Sequence, residues 1–195
     1  MHVLQNSYLL SHLDLPTIPW QQGFLSTEFD QHMLWTVKNE PVSAEIGLIE
    51  GKIGVTAKEA KEFVKHQYDN LGEKRVVLYY PYYTATKSGT IDLNQERSVI
   101  EAVEGKIENL SKKHRVDVTM IFRDNDLEIV GNDKFLSEDE TLTLIDYCRE
   151  LKSRCAADLD YGKNIILYWS IVSETKVNMI PKDKTNLIFT KLKII

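Results

Sequence analysis

Residues 75–103 read RVVLYYPYYTATKSGTIDLNQERSVIEAV, and the strand pattern of this stretch sets the fold class. Its valine- and tyrosine-rich first part predicts a strand that Pro81 ends or kinks. Two more short strands follow, Ser88–Leu93 and Ser98–Val103, and the polar turn Asn94–Arg97 joins them. Short polar turns between apolar runs are typical of hairpins. This part of the chain therefore predicts an antiparallel sheet.

Two segments carry the signals of amphipathic helices. Thr56 and Glu59 form a capping box at the start of the first, and Gly72 is placed to end it. Ser137 and Glu140 form a second capping box. Apolar residues then recur at helical spacing, at Ala60, Phe63, Val64, Tyr68 and Leu71 in the first segment and at Leu144, Ile145, Cys148, Leu151 and Cys155 in the second.

The remaining strands are predicted from short β-prone runs. They are Met33–Val37, Ile46–Ile49, the hairpin Val116–Phe122 with Leu127–Val130, and the closing pair Asn164–Ile171 and Asn186–Ile195. Otherwise the N-terminal residues 1–55 are expected to be irregular or β-rich. Residues 56–195 are expected to form one compact core. The predicted class is α+β, a largely antiparallel sheet flanked by two main helices.

Composition excludes several classes of protein. The chain has 195 residues, 43% of them hydrophobic, and a net charge of −5, which argues against a nucleic-acid binder. It has no apolar run of about 18 residues and no secretory signal, so we expect a cytoplasmic protein with no membrane partner. Cys148 and Cys155 lie two helical turns, about 10 Å, apart, too far for a disulfide. No metal-binding spacing accompanies them, so no metal site is predicted.

Two local features have more than one interpretation. Four tyrosines, Tyr79, Tyr80, Tyr82 and Tyr83, lie within five residues. They could be an ordinary strand that packs on the core, an aromatic wall for a purine, or a protein interface. Lys191 and Lys193 point the same way on a strand. They could meet an anionic ligand or guard an edge strand against unwanted pairing.

Six segments, in order, resemble those of a known family. They are Leu15–Glu28, Val77–Gly89, Val99–Gly105 (VIEAVEG), Leu136–Glu140 (LSEDE), Ile166–Ile171 (ILYWSI) and Leu187–Ile195. The family is the ATP-grasp domain of phosphoenolpyruvate-utilising enzymes: phosphoenolpyruvate synthase, pyruvate phosphate dikinase and rifampicin phosphotransferase. The resemblance covers about two thirds of the chain. It implies an ATP-grasp-like fold and ATP as the ligand.

The chain departs from that family at the positions that handle phosphate and metal. The family's metal-binding Glu falls on Tyr168, and its late Gln and Arg fall on Lys191 and Lys193. Its hinge Gln falls on Tyr80, and its early phosphate-binding Lys falls near Gln5. Phosphoryl transfer depends on Mg²⁺ bridging the phosphate oxygens, and a phenol does not replace a carboxylate ligand at neutral pH. The resemblance therefore implies a reduced, degenerate relative that has lost catalysis.

The sequence thus predicts a non-catalytic nucleotide-binding or regulatory module that takes ATP without a functional magnesium site. No catalytic residue is assigned, and the candidate ligand-binding residues are Tyr80, Tyr82, Ser88, Gly89, Glu101, Lys191 and Lys193. One alternative is the subunit of a split ATP-dependent phosphotransferase, completed by a protein partner. Another is a homo-oligomer without a nucleotide ligand, whose dimer edge is the tyrosine-rich strand together with Ile194 and Ile195.

Overall fold

The computed structural model describes residues 3–41, 50–71, 75–112, 115–123 and 126–195. Within these ranges the chain forms five helices and ten strands. The helices are α1 (Val3–His12), α2 (Ala57–Leu71), α3 (Glu108–Lys112), α4 (Glu138–Arg154) and α5 (Ala156–Asp160). The strands are β1 (Gln21–Gly23), β2 (Trp35–Pro41), β3 (Gly51–Val55), β4 (Arg75–Pro81), β5 (Tyr83–Leu93), β6 (Ser98–Glu104), β7 (Val118–Arg123), β8 (Asp126–Gly131), β9 (Ile165–Glu174) and β10 (Asn186–Ile194).

The strands form two separate sheets, and every pairing between the named strands is antiparallel. The small sheet has the order β1-β4-β2-β3, and the large sheet has the order β10-β9-β5-β6-β7-β8. Helix α2 packs on the small sheet around Val37, Phe63 and Val77. Helices α1, α4 and α5 cover one face of the large sheet, where they bury Leu151 and Trp169. The α+β class is thus confirmed, with two sheets in place of the single one expected.

Local signals in the sequence located both helix caps, the end of β4 and the turn after β5, whereas β5 begins at Tyr83, five residues before the predicted Ser88. Both capping boxes form: the Thr56 amide donates to Glu59 Oε2 at 2.9 Å, and the Ser137 amide donates to Glu140 Oε2 at 2.8 Å. Pro81 ends β4, as expected from its missing N–H. The turn after β5 closes where it was predicted, since the Asn94 amide donates to the Arg97 carbonyl at 3.0 Å.

The N-terminal segment differs from the expectation. It was predicted to be irregular, but residues 3–12 form helix α1, which packs on β10. Leu10 of this helix is 1% exposed, so burial against the large sheet stabilises a helix whose own sequence pattern is weak. Strand β2 begins at Trp35, two residues later than expected. The predicted strand at residues 46–49 and the helix stop at Gly72 lie outside the described residues.

None of the helices in the described ranges combines the length and the apolar character needed to cross a membrane. Helices α1, α4 and α5 leave the other face of the large sheet open, and residues of this open face line a cavity together with residues of the small sheet.

Candidate functional site

The open face of the large sheet is defined by the alternation of side chains along its strands. On β5, Gly89, Ile91 and Leu93 face the helices, whereas Ser88 and Thr90 point to the opposite side. The neighbouring strands contribute their own alternate residues to this open face, because antiparallel partners that lie opposite each other share a face. Polar and aromatic side chains are concentrated there, and they line two adjoining cavities.

The first cavity, here called the basin, has a volume of about 710 Å³. Its floor includes Thr90 on β5, Glu101 on β6 and Tyr168 on β9, which lie side by side in register. Its charged lining consists of Asp92, Arg97, Glu101, Glu108 and Lys191. The basin therefore offers cations and carboxylates within one open depression, a setting suited to a polar, charged ligand.

Tyr168 is flanked by two lysines from the edge strand β10. Lys191 lies opposite Tyr168 and Lys193 lies opposite Ile166, after a bulge that follows Phe189. Each ammonium nitrogen is 5.7 Å from the centroid of the Tyr168 ring. This distance is within the range of cation–π attraction, which helps to hold both ammonium groups over the basin wall.

The second cavity lies between the two sheets and has a volume of about 210 Å³; we call it the inter-sheet pocket. The small sheet contributes Thr36 and Tyr80, and the large sheet contributes Ser88, Ser170 and Ile188. Tyr82 and Tyr83 line the pocket where the chain passes from β4 to β5. Ile107 and Glu108 line both cavities, so the basin and the pocket are parts of one cleft.

Two phenols of the inter-sheet pocket, those of Tyr80 and Tyr83, have raised pKa values. Burial raises the pKa of Tyr80, although a hydrogen bond with the Thr36 side chain opposes this shift. Burial, assisted by the nearby Glu174 carboxylate, raises the pKa of Tyr83 to about 12. Tyr80 and Tyr83 therefore present neutral aromatic surface and hydroxyl groups to a ligand in the pocket.

A serine pair forms the polar floor of the same pocket. The Ser88 hydroxyl donates to the backbone carbonyl of Gly105 at 2.7 Å. Its oxygen also lies 2.8 Å from the Ser170 hydroxyl oxygen. Ser88 is fully buried and Ser170 is 8% exposed, so this hydroxyl chain is largely shielded from solvent.

An ion pair on the inner face of the small sheet was not predicted from the sequence. Lys38 follows Thr36 at alternate positions of β2, so both side chains point to the same side. The Lys38 ammonium lies 3.2 Å from Glu40 Oε1, and the two side chains are 13% and 1% exposed. Burial lowers the pKa of Lys38, while Glu40 opposes the shift. The alternation Thr-x-Lys-x-Glu in a β-prone run is the sequence signal that could have predicted this ion pair.

The residues of the basin do not fit a magnesium ion of the kind that the resembled family uses. Mg²⁺ prefers an octahedral set of oxygen ligands, commonly carboxylates and water. Where the resemblance would place a carboxylate ligand, the structure has the Tyr168 phenol between two ammonium groups, which repel a dication. Among the residues that the structure describes, no three His, Cys, Asp or Glu side chains are arranged so that they could hold a metal ion.

The structure brings most of the predicted site residues into one cleft. Tyr80, Tyr82 and Ser88 line the inter-sheet pocket, and Glu101 and Lys191 line the basin. Lys193 lies beside the basin, because its ammonium group contacts the ring of Tyr168, which lines the basin. Gly89 is different, because it faces the helix side of β5.

Gly89 is a packing position. A methyl group placed on its Cα would overlap the Glu101 carbonyl oxygen and lie 2.5 Å from the Trp169 ring. The absence of a side chain is what lets the indole pack against the backbone there.

Comparisons with known proteins leave the family open. No protein-family model matches the chain, and no curated protein matches it. Solved structures match the backbone only weakly, as two of them illustrate. The macrocyclase MdnC bound with precursor peptide MdnA, from Microcystis aeruginosa, is 11% identical, with a TM-score of 0.34 over 98% of this chain and 51% of its own. D-alanyl-alanine synthetase A from Vibrio cholerae is 7% identical, with a TM-score of 0.38 over 96% of this chain and 53% of its own.

This chain therefore spans about half the length of both solved chains. Likenesses of this size, at this identity, carry no weight for activity or ancestry. What the structure establishes is an α+β protein with two antiparallel sheets and a cleft between them.

Proposed function

We propose that this protein binds an adenine nucleotide in the cleft and does not transfer its phosphate, as a non-catalytic or regulatory module related to the ATP-grasp phosphotransferases. The observation that carries the proposal is the adjacency of the two cavities. A pocket lined by three tyrosines opens beside a basin lined by cations, and both share Ile107 and Glu108. A nucleotide has the same division into a flat apolar end and an anionic end.

The inter-sheet pocket suits the base. Its volume of about 210 Å³ accommodates one purine ring system, and its walls are aromatic on one side and hydroxylated on the other. Aromatic rings stack on nucleobases with about 1–3 kcal/mol per base. Tyr80 and Tyr82 are the rings we assign to this contact.

The basin suits the phosphates. Lys191 and Arg97 line it, and Lys193 adds a third cation beside Tyr168. Ammonium and guanidinium groups attract phosphate oxygens through charge-assisted hydrogen bonds. Asp92 and Glu108 line the same cavity and repel phosphate, so we place the triphosphate along the Tyr168 side, where the lysines are.

The order of the six resembling segments supports the relationship to phosphoenolpyruvate synthase and its relatives. The segments VIEAVEG and ILYWSI form neighbouring parts of the cleft, since Glu101 and Tyr168 both lie beside Thr90. The loss of catalysis follows from the same positions. Phosphoryl transfer needs metal ions that bridge the phosphate oxygens and neutralise the developing charge, and Tyr168 offers a phenol where the family has its metal-binding carboxylate.

Calorimetric titration with ATP, with and without Mg²⁺, tests the proposal. We expect binding without Mg²⁺ and no release of phosphate over hours. Lys191→Ala removes one cation from the basin and should weaken binding about 10-fold, in line with the loss of a hydrogen bond to a charged group. Lys184→Ala changes the net charge equally at an exposed position outside both cavities and should have no effect. Absence of binding, or tight magnesium-dependent binding with hydrolysis, would contradict the proposal.

Homo-oligomerisation is a second candidate function, favoured by the edge strand β8. The tyrosine-rich strand β4, where the dimer edge was predicted, pairs with β1 on one side and β2 on the other. Every residue of β8 is exposed, including Leu127, Ile129 and Val130. A two-fold antiparallel pairing centred on Ile129 sets Ile129 opposite its copy and Glu128 opposite Val130 of the other chain, so no two carboxylates meet. Light scattering of the wild type and of Ile129→Lys over a range of concentrations measures the oligomeric state. A wild-type monomer at all concentrations excludes this pairing.

A further inference from the structure

We infer that Ser170 makes the inter-sheet pocket selective for a base that carries an amino group, and that Ser88 is the positioning residue that enforces this selectivity. The inference rests on the proposed function, since it assumes that a nucleobase enters the pocket. Its basis is the fixed direction of two hydroxyl protons.

The direction of the first proton follows from its acceptor. The Gly105 carbonyl cannot donate, so the Ser88 hydroxyl proton must point to it across 2.7 Å. A serine hydroxyl has one proton and two acceptor lone pairs. Ser88 therefore has no proton left for Ser170, although the two oxygens are 2.8 Å apart.

The second proton is fixed by the first. For the contact between the two serines to be a hydrogen bond, Ser170 must donate and Ser88 must accept. Among the residues that the structure describes, no other side chain or backbone group forms a hydrogen bond with the Ser170 hydroxyl. Ser170 lines the inter-sheet pocket. With its proton given to Ser88, the Ser170 hydroxyl can act toward a ligand there only as an acceptor.

An acceptor of fixed direction discriminates between bases. The exocyclic amino group of adenine donates hydrogen bonds, whereas hypoxanthine has a carbonyl oxygen at the same place, and that oxygen only accepts. Placing the carbonyl against Ser170 would bring two lone pairs together and leave both oxygens unsatisfied in a largely buried site. Rejection of a ligand that lacks the required donor is the strong form of selectivity, because the buried polar group is left unpaired.

The role of Ser88 has its own signature. Ser88→Ala removes the acceptor of the Ser170 proton, so the Ser170 hydroxyl becomes free to rotate and can either donate or accept. The variant should keep its affinity for ATP and gain affinity for inosine triphosphate. Ser170→Ala instead removes the acceptor itself, so it should weaken ATP binding but not the binding of inosine triphosphate, which has no hydrogen bond to lose there. A purely structural role for the pair would move both affinities together.

The experiment is a calorimetric comparison of ATP and inosine triphosphate on the full chain, without Mg²⁺. The wild type should prefer ATP about 10-fold, and both variants should reduce the ratio to about one, by the opposite routes just described. Ser98→Ala, a buried serine on β6 that lines neither cavity, is the matched control and should keep the wild-type ratio. Circular dichroism melting checks that each variant is folded.

The outcomes are distinct. Equal binding of the two nucleotides by the wild type overturns the inference and leaves the proposed function standing. An unchanged ratio in folded Ser88→Ala also overturns it. Binding of neither nucleotide overturns the proposed function, and the inference falls with it.

Discussion

Replacing Gly89 with alanine should destabilise the protein more than any other glycine-to-alanine change on a strand. Gly89 lies on the central strand β5, between β6 and β9. The new methyl group would overlap the Glu101 carbonyl oxygen and approach two atoms of the Trp169 ring at 2.5 and 2.7 Å. Because Trp169 is fully buried and Glu101 contributes backbone, neither neighbour can move without disturbing its own packing.

The loss in the free energy of unfolding follows from the atoms that must move to admit the new methyl group. Overpacking a well-filled core costs about 1–3 kcal/mol, and more where backbone is displaced. The overlap with a carbonyl oxygen puts this site at the upper end, so we expect a loss of about 3 kcal/mol or more. For a chain of 195 residues, each 1 kcal/mol lowers the melting temperature by about 2–4 °C. The expected drop is therefore about 6–12 °C.

Urea and thermal unfolding followed by circular dichroism measure this difference. Gly23→Ala on β1 is the matched control, because a methyl group there would meet only side-chain atoms, all at 3.5 Å. Its effect should stay within about 1 kcal/mol, since a compatible alanine also reduces the entropy of the unfolded chain. Equal stability of the two variants would refute the reasoning, and loss of nucleotide affinity by a fully stable Gly89→Ala would return Gly89 to the ligand site.

Three further predictions concern caps, phenols and thiols. Ser137→Ala removes the hydroxyl that accepts from the Glu140 amide and should cost about 1 kcal/mol in urea unfolding, whereas Ser153→Ala on the exposed side of α4 should cost nothing. Burial raises the pKa of Tyr83 to about 12, so the folded state keeps the neutral phenol. Its contribution to the free energy of unfolding is complete below about pH 10 and is lost as the pH rises from 10 to 12. Tyr83→Phe should flatten that loss in unfolding titrations, while Tyr161→Phe, at an 85% exposed residue, should not. Burial raises the pKa of Cys148 to about 12, so a thiol reagent at pH 8 should modify it only after denaturation, and rapid native-state labelling of this residue would contradict its burial.

The features predicted correctly from the sequence depend on neighbours a few residues apart. The two capping boxes join residues three positions apart, and Pro81 acts on its own strand. Helix α1 was not predicted, because it is stabilised by the packing of Leu10 on the large sheet and not by a strong pattern within residues 3–12.

The candidate site shows the same division. Glu101, Lys191 and Tyr80 were selected by residue type and by resemblance, and the structure places them in one cleft. Gly89 was selected with them, yet the alternation of side chains turns it to the helix side. Ser170 carries no signal in the sequence, because the hydroxyl that it contacts belongs to Ser88, 82 residues away in the chain.

The positions of several strands along the chain and the two helix caps depend on periodicity and on hydrogen bonds between near neighbours, so the residues alone predict them. The division into two sheets, the cleft between them and the direction of each buried proton arise from pairings between distant strands. Such pairings depend on which surfaces can be buried together, and on which donor finds which acceptor once water has been excluded.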